Sequence, residues 1–203
     1  MTRSNRTLAV IGAAIVGVGA TVALAQQAPD DGPRYENGTH LVRPDNYREW
    51  VFLGAGLGMT YEEDTADGVS SEELSQAFTN VFVNPSSYRR FMETGVWPDR
   101  TTFVLEFRQS ASEVSINRAG RFQTDLFMLE AEVKDARFPD GWAFFNFGRA
   151  GELADAAEPL TGEQVAPCIE CHTLHTAVER TFVQFYPTAL EAAREHGTLK
   201  PGF

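Results

Sequence analysis

Alternating apolar and polar positions dominate the middle of this 203-residue chain. Residues 101–108 and 122–134 alternate with the period of two that a strand requires. An aromatic-rich run at 142–147 follows a Pro-Asp-Gly turn, and shorter apolar runs occupy 51–54 and 78–83. Because short turns join these runs, we predict an antiparallel, half-buried sheet of about five strands.

Helical spacing flanks this region on both sides. Residues 46–50 form one amphipathic turn, and 86–94 predict a helix that begins after a proline and ends at a glycine. Near the C-terminus, apolar side chains at three- and four-residue spacing predict one helix from 168 to about 185 and another over 188–196. The predicted fold class is therefore α+β, an antiparallel sheet packed with helices.

The first 25 residues have the features of a secretory signal. Two arginines precede an apolar run at 8–22, and small residues stand at 23 and 25. A membrane anchor is the alternative, but the run is short and no basic stop-transfer patch follows. We predict cleavage after Ala25, a flexible Pro- and Gly-rich arm over 26–44, and one domain over 45–203.

The predicted mature chain is strongly acidic. The signal holds two of the 17 basic residues and none of the 28 acidic ones, which leaves a net charge of −13. This charge argues against nucleic acid or an anionic membrane as a partner. Residues 60–75 include acidic side chains and no basic ones, which predicts a surface loop with a little helix.

The candidate chemistry lies in Cys-Ile-Glu-Cys-His at 168–172, which opens the predicted C-terminal helix. Cys168 and Cys171 share one helical turn, the spacing at which two thiols add to the two vinyl groups of a haem, and His172 then ligates the iron. A dithiol redox motif would accompany a βαβ unit, and a zinc site needs four ligands, of which these residues with His175 supply only part. A disulfide between the two cysteines would not require the histidine that follows them. We predict one covalent haem c, which agrees with export.

The position of the motif narrows the class of cytochrome. Only 31 residues follow His172 and none is methionine, unlike the small all-helical cytochromes c. The chain resembles the cytochrome P-460 family, which includes the β-sheet cytochromes c′ (cytochrome c′-beta). The matching segments occur in the same order and lie at residues 46–51, 81–85, 94–95, 133–135, 141–144, 168–172 and 182–187.

The resemblance implies a periplasmic homodimer, a sheet over one haem face and a five-coordinate iron on His172. Members that oxidise hydroxylamine carry a lysine link to the haem and a carboxylate over the iron. Members called cytochrome c′-beta lack the link, have an apolar distal pocket and bind nitric oxide or carbon monoxide.

This chain matches the enzymatic pattern only in part. The position of the linking lysine corresponds to Leu105, and a family arginine near the distal pocket corresponds to Thr79. The carboxylate is retained as Glu130. The chain has two lysines: Lys134, which we interpret as a charged strand end, and Lys200 in the C-terminal tail.

The resemblance therefore favours a gas-binding cytochrome with Phe103, Leu105 and Phe107 as its distal wall. Ordinary sheet core is the alternative for these three side chains. A second hypothesis is an enzyme that oxidises hydroxylamine or nitric oxide with Glu130 as the proton acceptor. The alternative for Glu130 is a solvated strand residue paired with Lys134, since Glu130, Glu132 and Lys134 share a strand face.

A third hypothesis is a simple electron carrier, which needs a sixth iron ligand. The sequence offers four candidates and selects none of them: His40, Met59, Met92 and Met128. In each case we expect an exported protein, no nucleic acid as a partner, and no membrane after cleavage, and the first two hypotheses add a small gaseous or N-oxide ligand. The redox partner stays open.

Overall fold

The computed structural model describes residues 30–59 and 71–203. The predicted signal at 1–25, the first residues of the arm and residues 60–70 of the acidic stretch lie outside the described residues. Within the described part of the chain, no helix has the length and hydropathy to cross a bilayer.

Strands form the body of the protein and helices lie beside them. The strands are β1 (Tyr35–Glu36), β2 (His40–Val42), β3 (Val51–Leu57), β4 (Phe78–Val83), β5 (Thr101–Ala111), β6 (Phe122–Lys134), β7 (Trp142–Arg149) and β8 (Ala156–Ala157). The helices are α1 (Ser71–Ser75), α2 (Pro85–Thr94), α3 (Ala166–Leu174) and α4 (Pro187–His196), with 3-10 turns at Tyr47–Glu49, Gly162–Gln164 and Val183–Phe185.

The main sheet is an antiparallel meander in the order β3-β4-β5-β6-β7. The α+β class and the five-stranded sheet are confirmed, and β4 and β6 have the predicted limits. The helix stops are confirmed as well. Gly95 after α2 and Gly197 after α4 both adopt left-handed backbone, at φ 69° and 66°, which costs a glycine little.

The central strands of the sheet are buried on both faces, so the prediction of a half-buried sheet is wrong for them. On β5, Phe103 packs in one cluster with residues of α2 and α4. Its neighbour Val104 points the other way and packs with Leu41 of β2 and Ala157 of β8. The strands alternate as predicted, but the second face is covered by chain segments that are distant in sequence.

The N-terminal segment supplies part of that cover, so its described part is not a loose arm. β1 pairs with β2, and β2 pairs with β8. Leu41 has no exposed surface, and the Asp31 carboxylate accepts a hydrogen bond from the Ser86 N–H, 2.8 Å away, in the first turn of α2. The proline and glycine residues of this segment made its sequence look like a loop. The strand β2 also depends on pairing with β8, which lies far along the chain.

The predicted helix from 168 to 185 is also shorter than expected. α3 ends at Leu174 and the chain reverses through residues 176–181. The Thr176 hydroxyl bonds the carbonyl oxygens of His172 (2.6 Å) and Glu179 (3.0 Å). Such side-chain bonds compete with the helical ladder, and this reversal returns Arg180 to the side of His172.

Trp97 fixes this reversal to the sheet. Its fully buried ring stacks on Phe91 of α2, at 3.8 Å between centroids, and meets Phe103 edge-on at 4.8 Å. The indole N–H donates to the Thr181 hydroxyl at 2.9 Å. A buried hydrogen bond of this kind ties the turn to the core.

The opposite face of β5 carries a buried carboxylate, Glu106, which is 2% exposed. It accepts hydrogen bonds from Tyr47 (2.7 Å), Arg48 (2.6 Å), Asn80 (2.9 Å) and Arg108 (3.0 Å). Burial raises the pKa of Glu106, but these donors outweigh it and hold the pKa at about 2. Glu106 therefore joins the 3-10 turn to the sheet as a charged, fully bonded group.

Candidate haem site

α3 places the cysteine–histidine motif at the wall of a cavity. The helix begins with Pro167 in its first turn, and none of its nine residues is buried, since its inner face borders this cavity rather than the core. Cys168 and Cys171 lie one turn apart on this helix, and both are partly exposed. Together with His172 they line a cavity of about 700 Å³ between α3 and the main sheet.

Contacts on all sides orient the imidazole of His172. Nδ1 lies 2.7 Å from the carbonyl oxygen of Arg180, and a carbonyl only accepts, so Nδ1 carries the proton. Phe144 and Phe182 meet the ring edge-on at 4.9 Å and 4.7 Å. This tautomer leaves the lone pair on Nε2, as in histidines that bind a metal through Nε2.

A carboxylate stands beside the same nitrogen. Oε1 of Glu132 lies 3.3 Å from Nδ1 of His172, although the Nδ1 proton is directed at Arg180. Burial lowers the pKa of His172, but the charge and the carboxylate contact of Glu132, together with the Arg180 carbonyl, outweigh burial, so that the pKa lies above its usual value. Glu132 therefore acts on the imidazole mainly through its charge.

The predicted distal side chains converge on this cavity. Phe103, Leu105 and Phe107 line it from β5, and Glu130 lines it from β6. Leu105 and Glu130 are direct cross-strand partners, so they lie side by side on one face. Phe103 and Phe107 are also packed in the core, so lining the cavity and packing the sheet are compatible for them.

Glu130 is half-buried and accepts a hydrogen bond from the Asn146 amide, 3.1 Å away on β7. Lys134, which was its alternative partner, forms an ion pair with Glu179 and donates to the carbonyl oxygen of Trp97 at 2.7 Å. The carboxylate of Glu130 is thus held on the cavity side of the sheet.

The four candidates for a sixth iron ligand differ in their position relative to the cavity. Met59 and Met128 line the cavity, whereas Met92 and His40 are not among its lining residues. His40 belongs to β2 of the small sheet and lies 3.5 Å from Glu158. Met92 lies on α2 and packs against the core beside Phe91.

Sequence reasoning overlooked the surroundings of His172. It placed Glu132 on one strand face with Glu130 but assigned it no role. Phe144 and Phe182 stood in segments that match the family, and no pattern connected them with the histidine. The Arg180 carbonyl leaves no signal in a sequence, because any residue carries one.

The residues around the cavity fit a haem. Two thiols one turn apart stand next to an imidazole whose Nε2 is available, and the rest of the wall is mainly apolar. A cavity of about 700 Å³ is of the size that cofactors occupy. These groups match the thioether and axial-ligand chemistry of a c-type haem.

The comparisons with known proteins agree with this chemistry. The family model of cytochrome P460 matches residues 44–183, which is more than half of the chain. No curated protein matches the chain. The resemblance drawn from the ordered segments is confirmed, and the chain belongs to the cytochrome P460 family of haem proteins.

Proposed function

We propose that the protein is an exported, periplasmic cytochrome with one covalent haem c, which binds nitric oxide or a similar small ligand at an open iron position. Cys168 and Cys171 form the thioethers, and His172 ligates the iron through Nε2. The bound haem supplies an iron with one axial position for the ligand. The observation that carries the proposal is that an apolar side chain, Leu105, lines the cavity, and the family resemblance assigns this position to the linking lysine of hydroxylamine-oxidising members.

The apolar wall beside Leu105 supports a site that binds a ligand and does not oxidise it. Phe103 and Phe107 are both buried and lie on the same strand face. Apolar side chains offer no hydrogen bond to water or to hydroxylamine, so a polar molecule loses hydrogen bonds on entering. A diatomic gas loses almost none, and this wall therefore selects small, weakly polar ligands.

A second candidate is an enzyme that oxidises hydroxylamine or nitric oxide. Glu130 favours it, because the carboxylate lines the same cavity and Asn146 orients it. A positioned carboxylate can accept the protons that such an oxidation releases. The leucine at position 105, which the resemblance assigns to the linking lysine, is the feature that counts against this candidate.

Electron transfer alone is a third candidate, and it would use Met59 or Met128 as the sixth ligand. Both side chains line the cavity. A five-coordinate iron with an open sixth position would need neither of them. The three candidates differ in the coordination state of the iron, which is measurable.

Absorption spectra of the ferric and dithionite-reduced protein, with and without nitric oxide, distinguish them. An ordinary high-spin c-type Soret band that shifts with nitric oxide is the expected result. A low-spin spectrum that does not respond to nitric oxide would indicate the electron carrier. A strongly red-shifted ferrous Soret band would show a haem crosslink, with Lys134 as the first residue to test, and would favour the enzyme.

A further inference from the structure

Glu132 is a buried carboxylate that lies beside the imidazole of the haem motif. Its side chain is 11% exposed, and Oε1 lies 3.3 Å from Nδ1 of His172. Among the described residues, this oxygen has no hydrogen-bond partner. A buried carboxylate oxygen without a partner is costly, so its position requires an explanation.

Comparison with the other buried glutamate of β5 and β6 shows how unusual this arrangement is. Glu106 is surrounded by four donor side chains, two of them arginines. On the same strand face, Lys134 instead pairs with Glu179. The free oxygen of Glu132 therefore faces the imidazole without a cation of its own from β6.

The neighbours of Glu132 keep its surroundings apolar. In the ladder it pairs with Phe103 of β5 on one side and with Phe144 of β7 on the other. Phe144 also packs edge-on against the His172 ring. Two phenyl rings thus exclude water from the gap between carboxylate and imidazole, and a charge acts more strongly across such a gap than in water.

We propose that Glu132 is a positioning residue of the haem site. Its negative charge polarises the Nδ1–H bond of His172, which makes Nε2 a stronger donor to the iron, stabilises the ferric state and lowers the reduction potential. Partners of this kind tune metal-bound histidines through the nitrogen that does not bind the metal. The inference rests on the proposed role of His172 as the axial ligand.

The test uses the mature holoprotein with Glu132→Gln, which keeps the shape and removes the charge. The reduction potential is expected to rise, and the iron–histidine stretching frequency in the resonance Raman spectrum of the ferrous protein is expected to fall. Glu158→Gln removes the same charge from a side chain that is 78% exposed, and both readouts should stay at the wild-type values. Glu130→Gln, two residues away on the same face, should leave the iron–histidine frequency unchanged.

Glu132→Asp gives a second measurement, because it retains the charge and moves it away from Nδ1. Values between those of the wild type and Glu132→Gln are expected, and this variant replaces Glu132→Gln if the latter does not mature. Wild-type values of both readouts in the variants would overturn the inference. An iron–histidine band that is missing from the wild type would instead contradict the axial role of His172 in the proposed function, and the inference with it.

Discussion

Leu105 and Glu130 lie directly opposite each other on β5 and β6, and both line the cavity that holds the haem motif. The family resemblance assigns the linking lysine of hydroxylamine-oxidising members to position 105 and their carboxylate to position 130. On that assignment, an apolar side chain stands in place of the lysine and the carboxylate is retained. The pair therefore combines one feature of each class, and substitutions at the two positions separate their contributions.

A polar side chain at position 105 is expected to weaken the binding of nitric oxide. Leu105→Gln supplies a hydrogen bond that holds a water molecule in the pocket, and one such bond contributes about 1 kcal/mol. Nitric oxide affinity should fall roughly fivefold, as measured by titration of the absorption spectrum. Leu105→Met preserves the apolar wall and serves as the control. Equal affinities for the two variants would contradict an apolar selection at this position.

Glu130→Gln should leave nitric oxide binding within about twofold of the wild type, because this binding transfers no proton. If the protein oxidises hydroxylamine, the same change removes the proton acceptor and lowers the rate by roughly 10²–10⁴-fold. Stopped-flow binding and steady-state oxidation with an electron acceptor measure the two effects. A large loss of nitric oxide affinity would show that the carboxylate contributes to ligand binding after all.

Glu106 on the other face of the sheet should make the fold sensitive to acid. Its pKa in the folded protein, about 2, lies below the value of 4.5 that applies without the fold. The stabilisation is therefore complete above about pH 4.5 and is lost as the pH falls toward 2. Glu106→Gln should reduce the free energy of unfolding at pH 7 by about 3 kcal/mol and flatten its decline below pH 4.5.

Denaturant unfolding across this pH range measures both effects. Glu195→Gln changes an exposed side chain of α4 and should behave as the wild type. A Glu106→Gln variant with the same acid dependence as the wild type would show that other carboxylates cause the decline.

Thr181→Val tests the attachment of the turn that carries Arg180. The change leaves the buried indole N–H of Trp97 without its acceptor, which costs about 1–3 kcal/mol of stability. Thermal unfolding should show a lower midpoint, and Thr188→Val, at an exposed position of α4, should not. A midpoint equal to that of the control would mean that the hydrogen bond is not needed to hold the turn.

Local pattern predicted the main sheet well, since an apolar run defines β4 and alternation defines β6 without reference to the rest of the chain. It failed where distant segments meet. The pairing of β2 with β8 depends on contacts that no local window contains, and the end of α3 at Leu174 depends on polar side-chain bonds that the spacing of apolar residues does not show. Side-chain bonds of Thr176 replace helical ones there.

The candidate site shows the same division. Spacing alone selected Cys168, Cys171 and His172 as the candidate haem residues, and alternation placed Glu130 and Glu132 on one face. Which carboxylate approaches the histidine depends on how α3 docks on β6. Only the folded chain brings Glu132 within 3.3 Å of His172 Nδ1.

We propose that Cys168, Cys171 and His172 form a covalent haem site. The intact mass of the purified protein under denaturing conditions is the most direct test of this attachment. We expect the mass of the chain from residue 26 plus one haem, and the haem should stay on the chain after extraction with acidified organic solvent. A chain without haem, or a haem that passes into the solvent, would contradict it.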